Sequence, residues 1–132
     1  MIRLIREYET MPFLRTYRSL PPGDYLNLMQ VASVLVGNSS SGIIEAPSFG
    51  LPVVNIGTRQ QGREQGCNVL DVSYEREEIR GAIEKALYDT EFRAVVKRGK
   101  NPYGDGKAAQ RIVEVLSHIP LGRDLLQKKM SY

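Results

Sequence analysis

The chain has 132 residues, 42% hydrophobic and 25% charged, with a formal net charge of +3. That fits one globular domain and excludes a disordered or fibrous chain. One cysteine, Cys67, excludes an internal disulfide, no run of about twenty apolar residues offers a membrane span, and the mixed-charge opening Met1–Glu9 does not read as a signal peptide.

Met1, Leu4, Ile5 and Tyr8 recur at the spacing of one helical face, with Arg3, Arg6 and Glu7 opposite. This helix pattern starts at the first residue with no cap ahead of it. It reads either as a frayed first helix or as a helix whose upstream neighbour is missing. A short extended segment is expected around Leu14–Tyr17. Pro21, Pro22, Gly23 and Asp24 open a helix with Tyr25, Leu28, Met29 and Ala32 on its apolar stripe. The compact run Val34–Val36 reads as a strand buried on both faces. Small residues fill Gly37–Gly42. A helix of about two turns, Ile43–Phe49, then ends at Gly50, and Pro52–Ile56 reads as a second buried strand. Gly57–Gly66 is polar and glycine-punctuated, hence a loop.

Val69–Val72 is a third short strand. Glu75–Tyr88 has the clearest helical period, with Ile79, Ala82, Ile83, Ala86 and Leu87 inward. A short helix fits Glu91–Arg98, a tight loop Asn101–Gly106. A last helix runs from about Lys107 with Ala109, Ile112, Val113 and Leu116 inward, and Pro120 stops it. Leu121–Met130 is a further helix or a tail. Strands alternating with helices point to an α/β fold with a parallel sheet. Such sheets bind ligands at the carboxyl ends of their strands, so the loops after Val36 and Ile56 are the places to look.

The strongest candidate is Val34–Glu45, which reads strand, small-residue loop, helix. Glycine lets backbone approach a ligand, a helix N-terminus offers unpaired N–H groups, and Ser39, Ser40 and Ser41 add hydroxyls. Phosphate suits such a site. The plainer alternative is that Ser41 only caps the helix. The spacing is neither a Walker A loop nor a dinucleotide fingerprint. Glu45, in the first helical turn, is either stabilised by the dipole or an acceptor for ribose hydroxyls. Arg59 and Arg63 on the second loop either clamp an anion or keep a solvated loop soluble. Asp105 reads as the N-cap of the last helix. His118 reads as a helix-end residue rather than a general base, and Cys67 has no histidine partner. One His and one Cys give no zinc cluster. A pI near 9.1 with interleaved signs permits nucleic acid without indicating it, so neither nucleic acid nor a membrane is expected as a partner.

The run from Gly37-Asn38-Ser39-Ser40-Ser41-Gly42-Ile43-Ile44-Glu45-Ala46-Pro47 to Gly57-Thr58-Arg59-Gln60-Gln61-Gly62-Arg63, with Asn101-Pro102-Tyr103-Gly104-Asp105-Gly106 beyond it, resembles UDP-N-acetylglucosamine 2-epimerases. It is nearest their hydrolysing branch, since the non-hydrolysing branch usually reads Asp-Ser-Gly-Gly where this chain has Asn38-Ser39-Ser40-Ser41. The resemblance implies a cytoplasmic two-domain enzyme of the GT-B type, each domain Rossmann-like. Residues 1–132 would be its C-terminal, UDP-holding domain without the N-terminal domain. It further implies Ser39 and Ser40 at the UDP phosphates, Gly42 allowing close approach, Glu45 on the ribose, and Arg59 near the nucleotide or the cleft. Arg3 and Arg6 match arginines that sialic-acid-pathway members use for feedback inhibition by a CMP-sugar. No cofactor is implied. The partners implied are UDP or a UDP-sugar, the absent domain, and a second copy in a homo-oligomer. The implied reaction eliminates UDP to a glycal and then adds water, and the chain alone is expected to be inactive. A UDP-sugar glycosyltransferase of the same architecture and a non-catalytic nucleotide-binding module are the alternatives.

Overall fold

The computed structural model describes residues 2–122. Met1 and most of Leu121–Met130 lie outside the described residues. Three short strands, β1 (Leu35–Gly37), β2 (Val53–Ile56) and β3 (Val69–Val72), form one sheet in the order β1-β2-β3. Both pairings are parallel, with Leu35, Val53 and Val69 side by side, then Val36, Val54 and Leu70. The α/β expectation is met: a parallel sheet with flanking helices.

The pleat sends neighbouring side chains to opposite faces. Leu35, Val53 and Val69 pack with Met29, Ala46, Leu51 and Tyr25 in one cluster. Met29 and Tyr25 belong to α2 (Pro22–Val31), and Ala46 to a 3-10 turn, Ala46–Phe49. The next residue, Val54, points to the other face. There α4 (Arg76–Tyr88) packs on β2 and β3 and buries Ala86. The α5 helix (Thr90–Arg98) leans on α4 and buries Val96. Asp89 caps α5 by accepting the Phe92 amide at 2.9 Å. Ser73 and Glu78 stitch the entry to α4: the carboxylate accepts the Ser73 amide at 3.0 Å and its hydroxyl at 2.6 Å. Those bonds hold the Glu78 carboxyl below its usual pKa.

Several expectations change. Only β2 is buried on both faces. β1 is an edge strand, and its Val36 is exposed. Leu14–Tyr17 joins no strand. The helix expected over Ile43–Phe49 is instead α3 (Ser41–Ile44) followed by the 3-10 turn. Pro47 explains the break, because it has no N–H to give Ile43. Gly50 ends the segment in the left-handed region at φ 58°. The α2 stripe is narrower than expected, since Leu28 and Ala32 are exposed. The largest departure is α6 (Ala108–His118). Ala109, Ile112, Val113 and Leu116 were expected inward, yet all are exposed, the last three by more than half. The apolar face of α1 (Ile2–Tyr8), carrying Leu4, Ile5 and Tyr8, is exposed as well. Amphipathic spacing marks a face that wants a partner. Among the described residues neither face has one.

Candidate functional site

β1 ends at Gly37, whose φ of 150° no other residue type adopts readily. The chain then turns through Asn38–Ser40 into α3. The Ser39 hydroxyl lies 3.3 Å from the Ser41 amide and 2.6 Å from the Ser41 hydroxyl, which itself meets the Tyr25 hydroxyl at 2.9 Å. Ser40, not Ser41, occupies the N-cap position, and its side chain makes no cap bond. The amides of Gly42, Ile43 and Ile44 are already spent on the carbonyls of Ser39 and Ser40. A four-residue helix also has little dipole to offer. The donors left for an anion are therefore the Ser40 hydroxyl, the Ser39 hydroxyl, which can accept from Ser41 and keep its own proton, and cationic side chains, rather than a row of helix amides.

Gly42 is buried, and a Cβ there would lie 2.8 Å from Val53 Cγ1. The close approach it demonstrably permits is that of α3 to β2. Glu45 is the C-cap of α3, not a first-turn residue, so the dipole does not stabilise it. It is half-buried, and its Oε2 has no hydrogen-bond partner among the described residues. A buried carboxylate oxygen without a donor is costly, and a hydroxyl-bearing ligand would relieve that cost.

The second loop comes to the same place. Arg59 is exposed, with Nη1 3.5 Å from Asn38 Oδ1, at the outer limit of a hydrogen bond. Gln60 beside it is buried and donates to the Asn38 carbonyl at 2.8 Å. Arg63 is exposed on the same loop. A cavity of about 270 Å³ opens at the ends of β2 and β3, lined by Asn55, Gly57, Thr58, Gln61 and Asp71. In it the buried Asn55 amide donates to Asp71 at 2.7 Å. The fold thus brings Arg59 and Gln60 onto Asn38, beside Ser39 and Ser40, at the sheet's carboxyl edge, where parallel sheets bind ligands; Gly42 lies within α3 and Glu45 at its C-cap.

The Asn101–Gly106 loop braces the far end of α3 and the 3-10 turn after it. Asn101 Nδ2 donates to the Ile44 carbonyl at 2.8 Å and to the Ser48 hydroxyl at 2.7 Å. Asp105 is not the N-cap of α6, which is Lys107. It accepts the Lys107 amide at 3.1 Å and both Arg111 nitrogens, at 2.9 and 2.7 Å. Hydrogen bonding from Arg111, and then from Lys107, holds its carboxyl below the usual range. Arg3 is exposed to solvent beside Glu7, 4.0 Å away. Arg6 lines a depression with Ile5, Glu9, Thr16, Tyr17 and Arg18, which shares no residue with the turn. His118 Nδ1 lies 2.8 Å from the Glu114 carbonyl, a helix-end contact. Cys67 is exposed beside the Val95 carbonyl.

Four further residues shape this site, and only one of them is signalled by the local sequence. Asn55 interrupts an apolar run, which was a usable signal. Gln60, Asn68 and Tyr25 offered none, because only the folded chain shows what they touch. Asn68, 2% exposed, ties the carbonyls of Gly42 and Leu51 together at 3.3 and 3.2 Å.

The family model described as UDP-N-acetylglucosamine 2-epimerase matches residues 2–117. The chain belongs to that family. It is 38% identical over 129 residues to the UDP-N,N'-diacetylbacillosamine 2-epimerase (hydrolyzing) of Legionella pneumophila, covering 98% of this chain and 33% of that protein. It is 39% identical over 98 residues to polysialic acid biosynthesis protein P7 of Escherichia coli, covering 74% of this chain and 25% of that one. A crystal structure of a UDP-N-acetylglucosamine 2-epimerase superposes with a TM-score of 0.75 at 23% identity, over 99% of this chain and 35% of the other. That likeness shows the fold. The chain spans about a third or less of the length of these relatives. Among the described residues no helix is long and apolar enough to cross a membrane.

Proposed function

We propose that residues 1–132 are the C-terminal, UDP-holding domain of a cytoplasmic hydrolysing 2-epimerase, acting on UDP-N-acetylglucosamine or a diacetamido analogue. The observation that carries this reading is the convergence of two loops on one turn. Ser40 brings a hydroxyl without a cap bond, Arg59 reaches Asn38, and Glu45 holds a buried oxygen unpartnered among the described residues. A nucleoside diphosphate answers all three. Its phosphates take the hydroxyls of Ser39 and Ser40 and the guanidinium of Arg59. Its ribose hydroxyls give Glu45 the donors it lacks.

In the reaction proposed, the C–O bond to UDP breaks and the sugar loses its C2 proton, leaving a glycal. Water then adds from the opposite face. This chain's part is to stabilise the charge that grows on the departing diphosphate, with groups already in place. The groups that take and return protons are assigned to the part of the relatives that this chain does not span. The exposed apolar faces of α1 and α6 support a partner domain there. The chain alone therefore binds UDP but does not turn over UDP-N-acetylglucosamine. Titration with UDP tests the site: Ser40→Ala and Glu45→Ala should each weaken binding by roughly tenfold. Product analysis of the two-domain protein should give free amino sugar plus UDP, and transfer to an acceptor sugar would overturn the epimerase reading.

A further inference from the structure

Residues 57–67 form a largely open loop, yet Gln60 within it is 2% exposed. Burying a primary amide costs free energy unless its polar atoms are bonded. Gln60 Nε2 donates to the Asn38 backbone carbonyl at 2.8 Å, across 22 positions of sequence. Its Oε1 is buried with no partner among the described residues. A long polar side chain is thus desolvated, and left half-satisfied, to hold one carbonyl of the phosphate turn. Arg59, one residue earlier, reaches the side chain of that same Asn38 from outside. The far end of the loop is tied too: the Tyr103 hydroxyl donates to the Glu64 carbonyl at 2.9 Å. Tyr103 in turn sits on the loop that Asn101 anchors to α3.

An arginine on an untethered loop must order its backbone and its side chain each time it meets an anion, which weakens binding. We infer that Gln60 is a positioning residue: it locks the Gly57–Gly66 loop onto the phosphate turn, so that Arg59 meets the same anion as Ser40. This rests on the UDP site proposed above. Gln60 touches no phosphate itself and acts through Arg59. Tyr103 is the second tether, farther from the anion and correspondingly weaker.

The test is a cycle of UDP titrations on this chain: wild type, Gln60→Met, Arg59→Ala and the double variant. Methionine keeps the length of the side chain and removes the donor. Gln60→Met should weaken UDP by about tenfold in the wild-type background and by less than twofold once Arg59 is gone. Tyr103→Phe should cost about twofold. Amide hydrogen exchange shows whether each variant folds. Thr58–Arg63 should exchange faster in Gln60→Met, while β2 keeps its protection. Equal weakening by Gln60→Met with and without Arg59 would make Gln60 merely structural and overturn the inference. So would unchanged UDP affinity in Gln60→Met alongside a Ser40→Ala loss, which leaves the UDP site standing. Failure of the wild type to bind UDP at all would remove both.

Discussion

The sheet's carboxyl edge and the α6 helix make opposite use of their apolar residues. Around β2 the apolar side chains are few but closed in: Ile43 and Val54 are wholly buried, and even the amide nitrogens of Asn55 and Asn68 are taken out of water with partners. On α6 the apolar residues are well spaced and uncovered, with Ile112, Val113, Val115 and Leu116 all more than half exposed. Periodicity therefore says which side of a helix is apolar, but burial needs a second surface. The edge of the sheet has that surface within the described residues and α6 does not. Local stability should divide along the same line.

Truncation should expose the contrast most strongly. Ile43→Ala leaves a cavity under α3 and should cost about 3 kcal/mol in denaturant unfolding. Leu116→Ala on α6 should change stability by less than about 0.5 kcal/mol. Equal costs at the two sites would mean that α6 is covered after all. Next comes Gly42→Ala, whose new Cβ would crowd Val53 Cγ1. Overpacking predicts a loss of about 1–3 kcal/mol, whereas a purely ligand-facing glycine would leave unfolding unchanged and alter only UDP affinity. Asp89→Ala removes the α5 cap and should cost about 1 kcal/mol.

The smallest effect concerns pH. The folded-state pKa of Asp105 is depressed, first by Arg111 and then by the Lys107 amide. Its stabilisation is present above the unfolded-state pKa and is lost as pH falls through the lower folded-state value. Both side chains are largely solvated, so the contribution is small. Melting curves of Asp105→Asn between about pH 7 and pH 3 should show a slightly shallower acid loss than wild type. A steeper loss would contradict the assignment.

Much of this could be read from the residues. The runs around Val34–Val36, Pro52–Ile56 and Val69–Val72 are short and apolar, and each holds a parallel strand, though the first is shifted by one residue and the second starts one residue later. The long stripe from Ile79 to Leu87 lies inward on α4 as its period requires. Ser39, Ser40, Glu45 and Arg59 stand out as candidates because small hydroxyl residues, an acid and an arginine follow strand ends, while their roles toward UDP come from the family resemblance and belong to the proposal. Other features were hidden because they depend on distant partners. Whether β1 was central or an edge depended on strand order. Pro47 signalled a break, yet its effect on Glu45, which moves from a first turn to a C-cap, emerged only with the shortened α3. Gln60 and Asn101 reach across 22 and 57 positions, beyond any local pattern. The uncovered face of α6 shows the same limit from the other side.

Calorimetric titration of this chain with UDP, in parallel for wild type, Glu45→Ala and Leu116→Ala, tests the central claim most directly. The account predicts saturable binding to the wild type, weakening of roughly tenfold in Glu45→Ala, and no change in Leu116→Ala. UDP affinity indifferent to Glu45, or absent from the folded wild-type chain, would contradict it.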